Sequence, residues 1–414
     1  MKNNNKKQKN KNLKLILLID LMLVMCIACV IAIGKMHTPA PAEPLALIGD
    51  QEVSIELGSE YTDPGVNNAR AEVSGEVDTG TAGDYNIVYR LGDQEVVRTV
   101  HVIQPGNIVI GLRGSKVQLV RQGDPYIENG AFAINKDKEG GMIVEDQITV
   151  EGEVDTSKPG EYEVTYTVPF GSTNYTATRT VRVLSPEEFG DNDYEVSVMM
   201  YNSVYTADDV PARLNGNWIL DTDLEEQLKY LSERDYYFPG WRELRAWIDG
   251  KISLPEKSIA VTFDVGKKET LKYGIPLLEK YKIPATVFMV CWEDNGAAGK
   301  VRKYASEYVD FESNSYAMHQ AGYDPNYRGI VGEMSQEEIA EDLVKASKIV
   351  GNDAYAYPYG EAPGIAYRAV QDQGFQCAFL TDYGRVRQGM DPHLLPRVRV
   401  LGDESFEVWR QSAR

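Results

Sequence analysis

Residues 258–290 read SIAVTFDVGKKETLKYGIPLLEKYKIPATVFMV, and this stretch decides the fold. An apolar run of strand character, Ser258 to Phe263, ends at Asp264. A helix-like segment follows from Leu271 to Tyr281, and then a second β-rich run from Ala285 to Val290. Strand, helix and strand in about 30 residues make one βα unit. A carboxylate just past a strand's carboxyl end is where such folds carry their reactive groups.

The same texture extends in both directions from about residue 190. Val196 to Tyr201 reads as a strand. Thr222-Asp223-Leu224-Glu225 reads as a capping box opening a helix with Leu224, Leu228 and Leu231 on one face. Trp241 to Ile248 reads as a further helix, and Ser335-Gln336-Glu337-Glu338 as the box of another that stops at Gly351. Ala354 to Tyr357, Ile365 to Gln373 and Cys377 to Thr381 continue as strand, helix and strand. Repeated βα units predict a parallel sheet or barrel with its site at the carboxyl ends of the strands.

Residues 46 to 184 are different, because they repeat themselves. Gly75-Glu76-Val77-Asp78-Thr79 returns 77 residues later as Gly152-Glu153-Val154-Asp155-Thr156, and Gly83-Asp84-Tyr85 returns at the same offset as Gly160-Glu161-Tyr162. Each copy closes on Arg-Thr-Val-x-Val, at Arg98 and at Arg179, the second four residues later because its hairpin is longer. Apolar residues alternate inside each copy, as in Tyr85-Asn86-Ile87-Val88-Tyr89, with glycine, aspartate and proline between the runs. Period two with turn punctuation predicts two small β-sandwiches, residues 46–105 and 106–185. They resemble bacterial immunoglobulin-like repeats of cell-surface proteins. Nothing in them looks catalytic, and they read as spacers.

The 414 residues carry 62 acidic and 43 basic side chains, a net charge of −19, which argues against a nucleic-acid binder. The charge is divided. Residues 1–14 hold six lysines and no acid, and residues 15–34 are apolar except for Asp20, so the remainder carries −24. Residues 15–34 would span about 30 Å as a helix, which predicts a transmembrane anchor with a cytoplasmic basic tail and the bulk of the chain outside. A cleaved signal peptide ending near Ala40-Pro41-Ala42 is the alternative. A proline-rich stem, residues 35–45, follows. Cys291 and Cys377 read as free buried thiols, with a disulfide between them an open alternative.

The quoted stretch resembles the first motif region of the polysaccharide deacetylases, the NodB-homology or carbohydrate esterase family 4 hydrolases. The likeness continues through MMYNSV (199–204), FESNSYAMH (311–319), AYAYPYG (354–360) and LPRVRV (395–400), covering residues 190–414 in family order. It implies a distorted (β/α) barrel that removes N-acetyl groups from envelope glycans such as peptidoglycan or poly-N-acetylglucosamine. It implies a divalent metal, usually zinc, held by one Asp and two His beside a catalytic Asp. Such an ion polarises the amide carbonyl and activates water.

Carried over by position, the catalytic base is Asp264 and the second histidine ligand is His319. The other two ligand positions fall on Val265 and Ser315. Ala356 stands where an arginine is common, and Asn202 where a histidine follows the tyrosine. Tyr201, Asn202, Tyr359 and Gly360 are the implied substrate-binding residues, the last two as a Pro-Tyr-Gly turn whose N–H meets the acyl oxygen. The chain has four histidines, His37, His101, His319 and His393, and only the last two lie in the barrel. His393 as a second ligand, or an oxygen-rich site of Asp264, Asp310 or Glu312 with His319, are the remaining ways to hold a metal. Asp264 could instead pair with Lys267 or Lys268. Two functions follow from these residues: a membrane-anchored extracellular hydrolase of glycan N-acetyl groups, or a degenerate relative that binds glycan or a protein partner without turnover.

Overall fold

The computed structural model describes residues 44–81, 83–103, 107–137, 140–143, 145–170, 173–190 and 194–413. The basic tail, the anchor and nearly all of the stem lie outside the described residues. Among the described residues, no helix is long and apolar enough to cross a membrane. The chain divides into two compact units, 1–105 and 106–414.

In the first unit, β1 (Glu52–Glu56), β2 (Glu72–Ser74), β3 (Gly83–Leu91) and β4 (Gln94–Ile103) form one sheet in the order β1-β4-β3-β2, with β1 parallel to β4. Ile87, Tyr89 and Val100 of its inner face pack with Leu45, and Leu47, Tyr61 and Val66 close over them. The expected sandwich is thus one sheet covered by irregular chain, because Leu47 meets Val66 in a single bridge rather than a ladder.

In the second unit, β5 (Ile108–Leu112), β6 (Val117–Arg121), β7 (Ala131–Asn135), β8 (Met142–Ile143), β9 (Thr149–Glu151), β10 (Gly160–Phe170) and β11 (Thr173–Leu184) make two sheets, β6-β11-β10-β9 and β5-β7-β8. This module is a sandwich, with Tyr166, Val168, Val181 and Val183 of one sheet against Ala131 and Ala133 of the other. Its hairpin pairs from Gly160 with Val183 to Phe170 with Thr173, longer than the β3–β4 hairpin, as the repeat spacing requires.

A closed barrel follows. Its strands are β12 (Ser197–Tyr201), β15 (Ile259–Val265), β16 (Ala285–Met289), β17 (Val309–Ser313), β18 (Ala354–Ala356), β19 (Cys377–Tyr383) and β20 (Leu395–Arg399), all parallel and adjacent in that order. The short pair β13 (Ser203–Tyr205) and β14 (Trp218–Leu220) lies beside it. The helices are α1 (Asp221–Ser232), α2 (Trp241–Ile248), α3 (Lys268–Tyr281), α4 (Ala297–Lys303), α5 (Gln336–Ala346), α6 (Gly364–Asp372) and α7 (Phe406–Ser412). Alternate residues separate cleanly. Val198, Ala260, Phe288, Ala356, Phe379 and Leu395 fill the barrel, while Met199, Val261, Phe263, Val287 and Phe311 meet the helices.

The Ser335 capping box forms as expected, Ser335 Oγ accepting from Glu338 N–H at 3.2 Å and Glu338 Oε2 accepting from Ser335 N–H at 2.8 Å. The Thr222 box does not, since α1 already begins at Asp221 with Leu220 as its cap and no side-chain cap bond. Cys291 and Cys377 are free and buried, and burial pushes the Cys291 thiol up to about 12.

The second β module packs against the barrel. Gly114, at φ +77°, runs so close to Gly240 that a Cβ there would lie 2.5 Å from the Gly240 nitrogen. That approach lets Ser115 N–H donate to Phe238 O at 2.7 Å and carries Arg113 into the amino end of the barrel. Arg113 Nε donates to Asp310 Oδ2 at 2.9 Å and Nη1 to Glu145 Oε2 at 3.0 Å, with Asp353 at 3.5 Å. Arg242 of α2 joins the same carboxylates, Asp353 at 3.1 Å and Glu145 at 2.7 Å. Burial works against the charge of Arg113, but Asp310, Asp353, Glu312 and Glu145 outweigh it and push the guanidinium up.

Burial also raises the Asp310 carboxyl and raises Glu312 well above the carboxyl range, Glu312 further through its neighbour Asp310. A buried acid raised in this way contributes stability that is full below its unfolded value of about 4.3 and is lost as pH rises through its folded value. Urea unfolding from about pH 4 to pH 8 should therefore show wild type losing stability relative to Glu312→Gln as pH increases. A difference that stays flat, or grows the other way, would show that Glu312 is charged in the folded protein.

Candidate functional site

The carboxyl ends of the barrel strands carry the candidate site. Asp264 lies near the end of β15, inward by the same alternation that sends Val261 and Phe263 to the helices. Its carboxylate is held by Arg397 of β20 in a bidentate pair, Oδ1 and Oδ2 each 2.7 Å from a guanidinium nitrogen. Asp264 is 7% exposed and Arg397 fully buried. Arg397 threads the barrel between Phe288 and Phe379, its Nε donating to Leu380 O at 3.0 Å and its Nη1 reaching Thr262 Oγ1 at 3.4 Å. Neither Lys267 nor Lys268 pairs with Asp264. Lys267 instead lies 4.8 Å above the Trp218 ring.

Three turns at this end hold non-glycine residues in the left-handed region: Val265 at φ +70°, Ser315 at +74° and Tyr359 at +58°. A branched residue is costly there, and such strain gathers at functional sites. Val265 puts an isopropyl group where the resemblance implies a ligand.

Ser315 does not face the barrel as a ligand would. Fully buried, its Oγ accepts from Met318 N–H at 3.1 Å and closes the turn after β17. The inward series along this strand is Asp310, Glu312 and Asn314, so Asn314 stands at the mouth. Its Nδ2 donates to Ala356 O at 2.7 Å, and its Oδ1 is buried without a hydrogen-bond partner. Sequence reasoning passed over Asn314, although the alternation of β17 points to it.

His319 is half-buried with its ring 4.4 Å from that of Tyr359. Burial holds its imidazole below the usual value; the charges of Arg328 and Lys267 add to this and that of Asp264 opposes it. Arg328 lies 5.0 Å from the Tyr359 ring. Tyr359 N–H has no hydrogen-bond partner among the described residues. Gly360, at φ +77°, packs so tightly that a Cβ would fall 2.2 Å from Thr381 Oγ1. The Pro-Tyr-Gly segment is thus a tight turn at the carboxyl end of the barrel.

Tyr201 and His393 are elsewhere. Tyr201 is corrected from cleft to core: its hydroxyl donates to Gln227 Oε1 at 2.8 Å, accepts from Trp409 Nε1 at 3.1 Å, and its ring stacks on Phe263. Asn202, just past β12, accepts from Thr270 Oγ1 through its carbonyl at 3.2 Å. His393 precedes β20 at the opposite end of the barrel, its Nε2 2.8 Å from Phe375 O, so it cannot complete a site with His319. Asp310 and Glu312 are committed to the Arg113 cluster.

The residues present do not fit a zinc ion. Val265 has no donor atom, the Ser315 hydroxyl is engaged in its turn, and the charge of Asp264 is already met by the Arg397 guanidinium. That leaves Asn314 and His319, and an amide oxygen is a poor partner for zinc. Among the described residues, no group of three or more His, Cys, Asp or Glu is placed to hold a metal.

Comparison with known proteins agrees with the domain order. The family described as "Bacterial surface protein, Ig-like domain" matches residues 45–102 and 110–183, and that described as "Polysaccharide deacetylase" matches residues 251–378. The poly-beta-1,6-N-acetyl-D-glucosamine N-deacetylase of Staphylococcus aureus (strain MRSA252) is 24% identical over 205 residues, 46% of this chain and 69% of that protein. The enzyme of the same name from Staphylococcus epidermidis is 24% identical over 206 residues, 46% and 70% of the two chains. Among solved structures, a Streptococcus pyogenes deacetylase in complex with acetate aligns at a TM-score of 0.45 and 17% identity, over 54% of this chain and 99% of that one. A polysaccharide deacetylase from Bacillus cereus aligns at 0.43 and 18%, over 83% and 99%.

Proposed function

For a chain that joins Ig-like modules of the bacterial surface type to a polysaccharide deacetylase domain, we propose that the barrel binds an N-acetylated envelope glycan of the poly-β-1,6-N-acetylglucosamine class without zinc-dependent turnover. The observation that carries this reading is the closed Asp264–Arg397 pair with Val265 beside it. In a metal-dependent hydrolase, a base must accept a proton from water and a cation must polarise the carbonyl. Here the carboxylate is already occupied by a guanidinium and the ligand position is a valine. Binding needs neither group. The free Tyr359 N–H offers a donor to an N-acetyl carbonyl, and the His319 ring packs on the tyrosine that carries it. We further propose that residues 15–34 anchor the protein in the cell membrane, with residues 1–14 cytoplasmic and the barrel outside.

The test combines metal analysis of the purified protein with acetate release from, and calorimetric binding of, β-1,6-linked N-acetylglucosamine oligomers. Saturable binding without acetate release or stoichiometric zinc is expected. Zinc at one equivalent with release abolished by Asp264→Asn would overturn the reading in favour of a hydrolase. The double change Val265→Asp with Asn314→His should confer zinc binding, because it supplies a carboxylate at the position the resemblance implies and an imidazole at the inward position that follows β17. Ser315→His in place of Asn314→His should not, since that side chain is turned into its own loop. For topology, protease added to intact cells should digest the barrel and spare the first fourteen residues.

A further inference from the structure

The charged groups at the cleft mouth are unequally matched. Two of its carboxylates are engaged. Asp264 is paired with Arg397, and Glu361 accepts from the backbone N–H groups of Arg328 and Gly329 at 2.6 and 2.9 Å. Arg399 is hydrogen-bonded to the Asn217 side chain.

Two cations are left over. Lys267, half-buried, lies on the face of Trp218, and Arg328, exposed, on the face of Tyr359. Neither has a carboxylate within ion-pair distance among the described residues, in a chain whose net charge is −19. Burial holds the Lys267 ammonium below its usual value, and the carboxylate of Glu269 opposes this without reversing it. Each cation therefore meets an aromatic face and keeps its remaining N–H donors for something else. A cation that has already given up water loses less on meeting an anion than a fully hydrated one. Arg328 covers the Tyr359 ring that His319 also meets, and Lys267 follows the end of β15, so both stand at the carboxyl end of the barrel.

We propose that the glycan taken by this cleft carries negative charge, as a carboxylate or phosphate substituent on an N-acetylated sugar chain, and that Lys267 and Arg328 select it. This rests on the reading of the cleft as a glycan site. Arg328 stands over the ring of Tyr359 and Lys267 over that of Trp218, at the same end of the barrel, so a chain whose N-acetyl group meets Tyr359 N–H would carry its other substituents toward these cations. A neutral homopolymer would leave both without a counter-charge.

The experiment compares three β-1,6-linked N-acetylglucosamine oligomers of equal length, titrated into the full-length protein: one unmodified, one O-succinylated and one O-phosphorylated. At least one charged oligomer should bind about tenfold more tightly than the neutral one, a difference of about 1.4 kcal/mol. The advantage should shrink as salt is raised. It should fall to about one in the double variant Lys267→Gln, Arg328→Gln and survive in Lys267→Arg, Arg328→Lys, which keeps both charges. Which charged oligomer gains separates a carboxylate substituent from a phosphate. Equal binding of all three would overturn this inference and leave the glycan reading standing. Binding of none would remove the glycan reading itself.

Discussion

Replacing Arg113 by methionine is expected to lower the unfolding free energy of the second unit by about 3–5 kcal/mol, the usual consequence of removing one partner from a buried ion cluster. Methionine fills a similar volume without a charge, so the loss is electrostatic. Asp310, Glu312 and Asp353 would remain at the amino end of the barrel with Arg242 alone to meet them. Urea unfolding at constant pH measures it. The change should be partly reversed by adding Asp310→Asn, which removes the acid that Arg113 holds most directly, at 2.9 Å. A loss below about 1 kcal/mol would mean the cluster behaves like a surface pair and the module is only loosely docked.

Asp264→Asn should be nearly as damaging, with a loss of about 3 kcal/mol, because it leaves the fully buried Arg397 guanidinium without its counter-charge. Arg397→Met should do the same to Asp264. The double variant should be markedly more stable than the sum of the two single losses, as coupled partners are. This separates two roles for Asp264. A carboxylate serving as a base is typically replaced by its amide at little expense to the fold, whereas one serving as half of a structural pair is not. Thermal or urea unfolding of the four proteins decides between them without any knowledge of substrate.

The sequence shows the βα framework wherever strands are runs of apolar residues, as at Ser258 to Phe263 and Ala285 to Val290. It hides β17, whose Val309-Asp310-Phe311-Glu312-Ser313 has the alternation of a half-exposed strand. Those acids face inward because Arg113 waits for them, 197 positions earlier in the chain. The same distance problem hides the site. Asp264 is visible as a carboxylate at a strand end, but its partner Arg397 is 133 positions away and shows only as a charge inside an apolar run. Ser315 and Asn314 are neighbours, and only the direction of the strand tells which of them faces the barrel. Tyr201 fails for a related reason, since a tyrosine at a strand end is equally suited to a cleft or to the helix layer.

The two β modules share a pairing whose meaning is mechanical. In each, an early strand lies parallel to the last one, Glu52–Glu56 beside Thr99–Ile103 and Val117–Arg121 beside Thr180–Leu184. Tension along the chain pulls such neighbours in opposite directions along their length, so their hydrogen bonds are loaded together in shear instead of being opened one by one like a zipper. A module built this way yields abruptly and at high force. Stretched between two points, the chain would transmit a pull long before these modules lengthened.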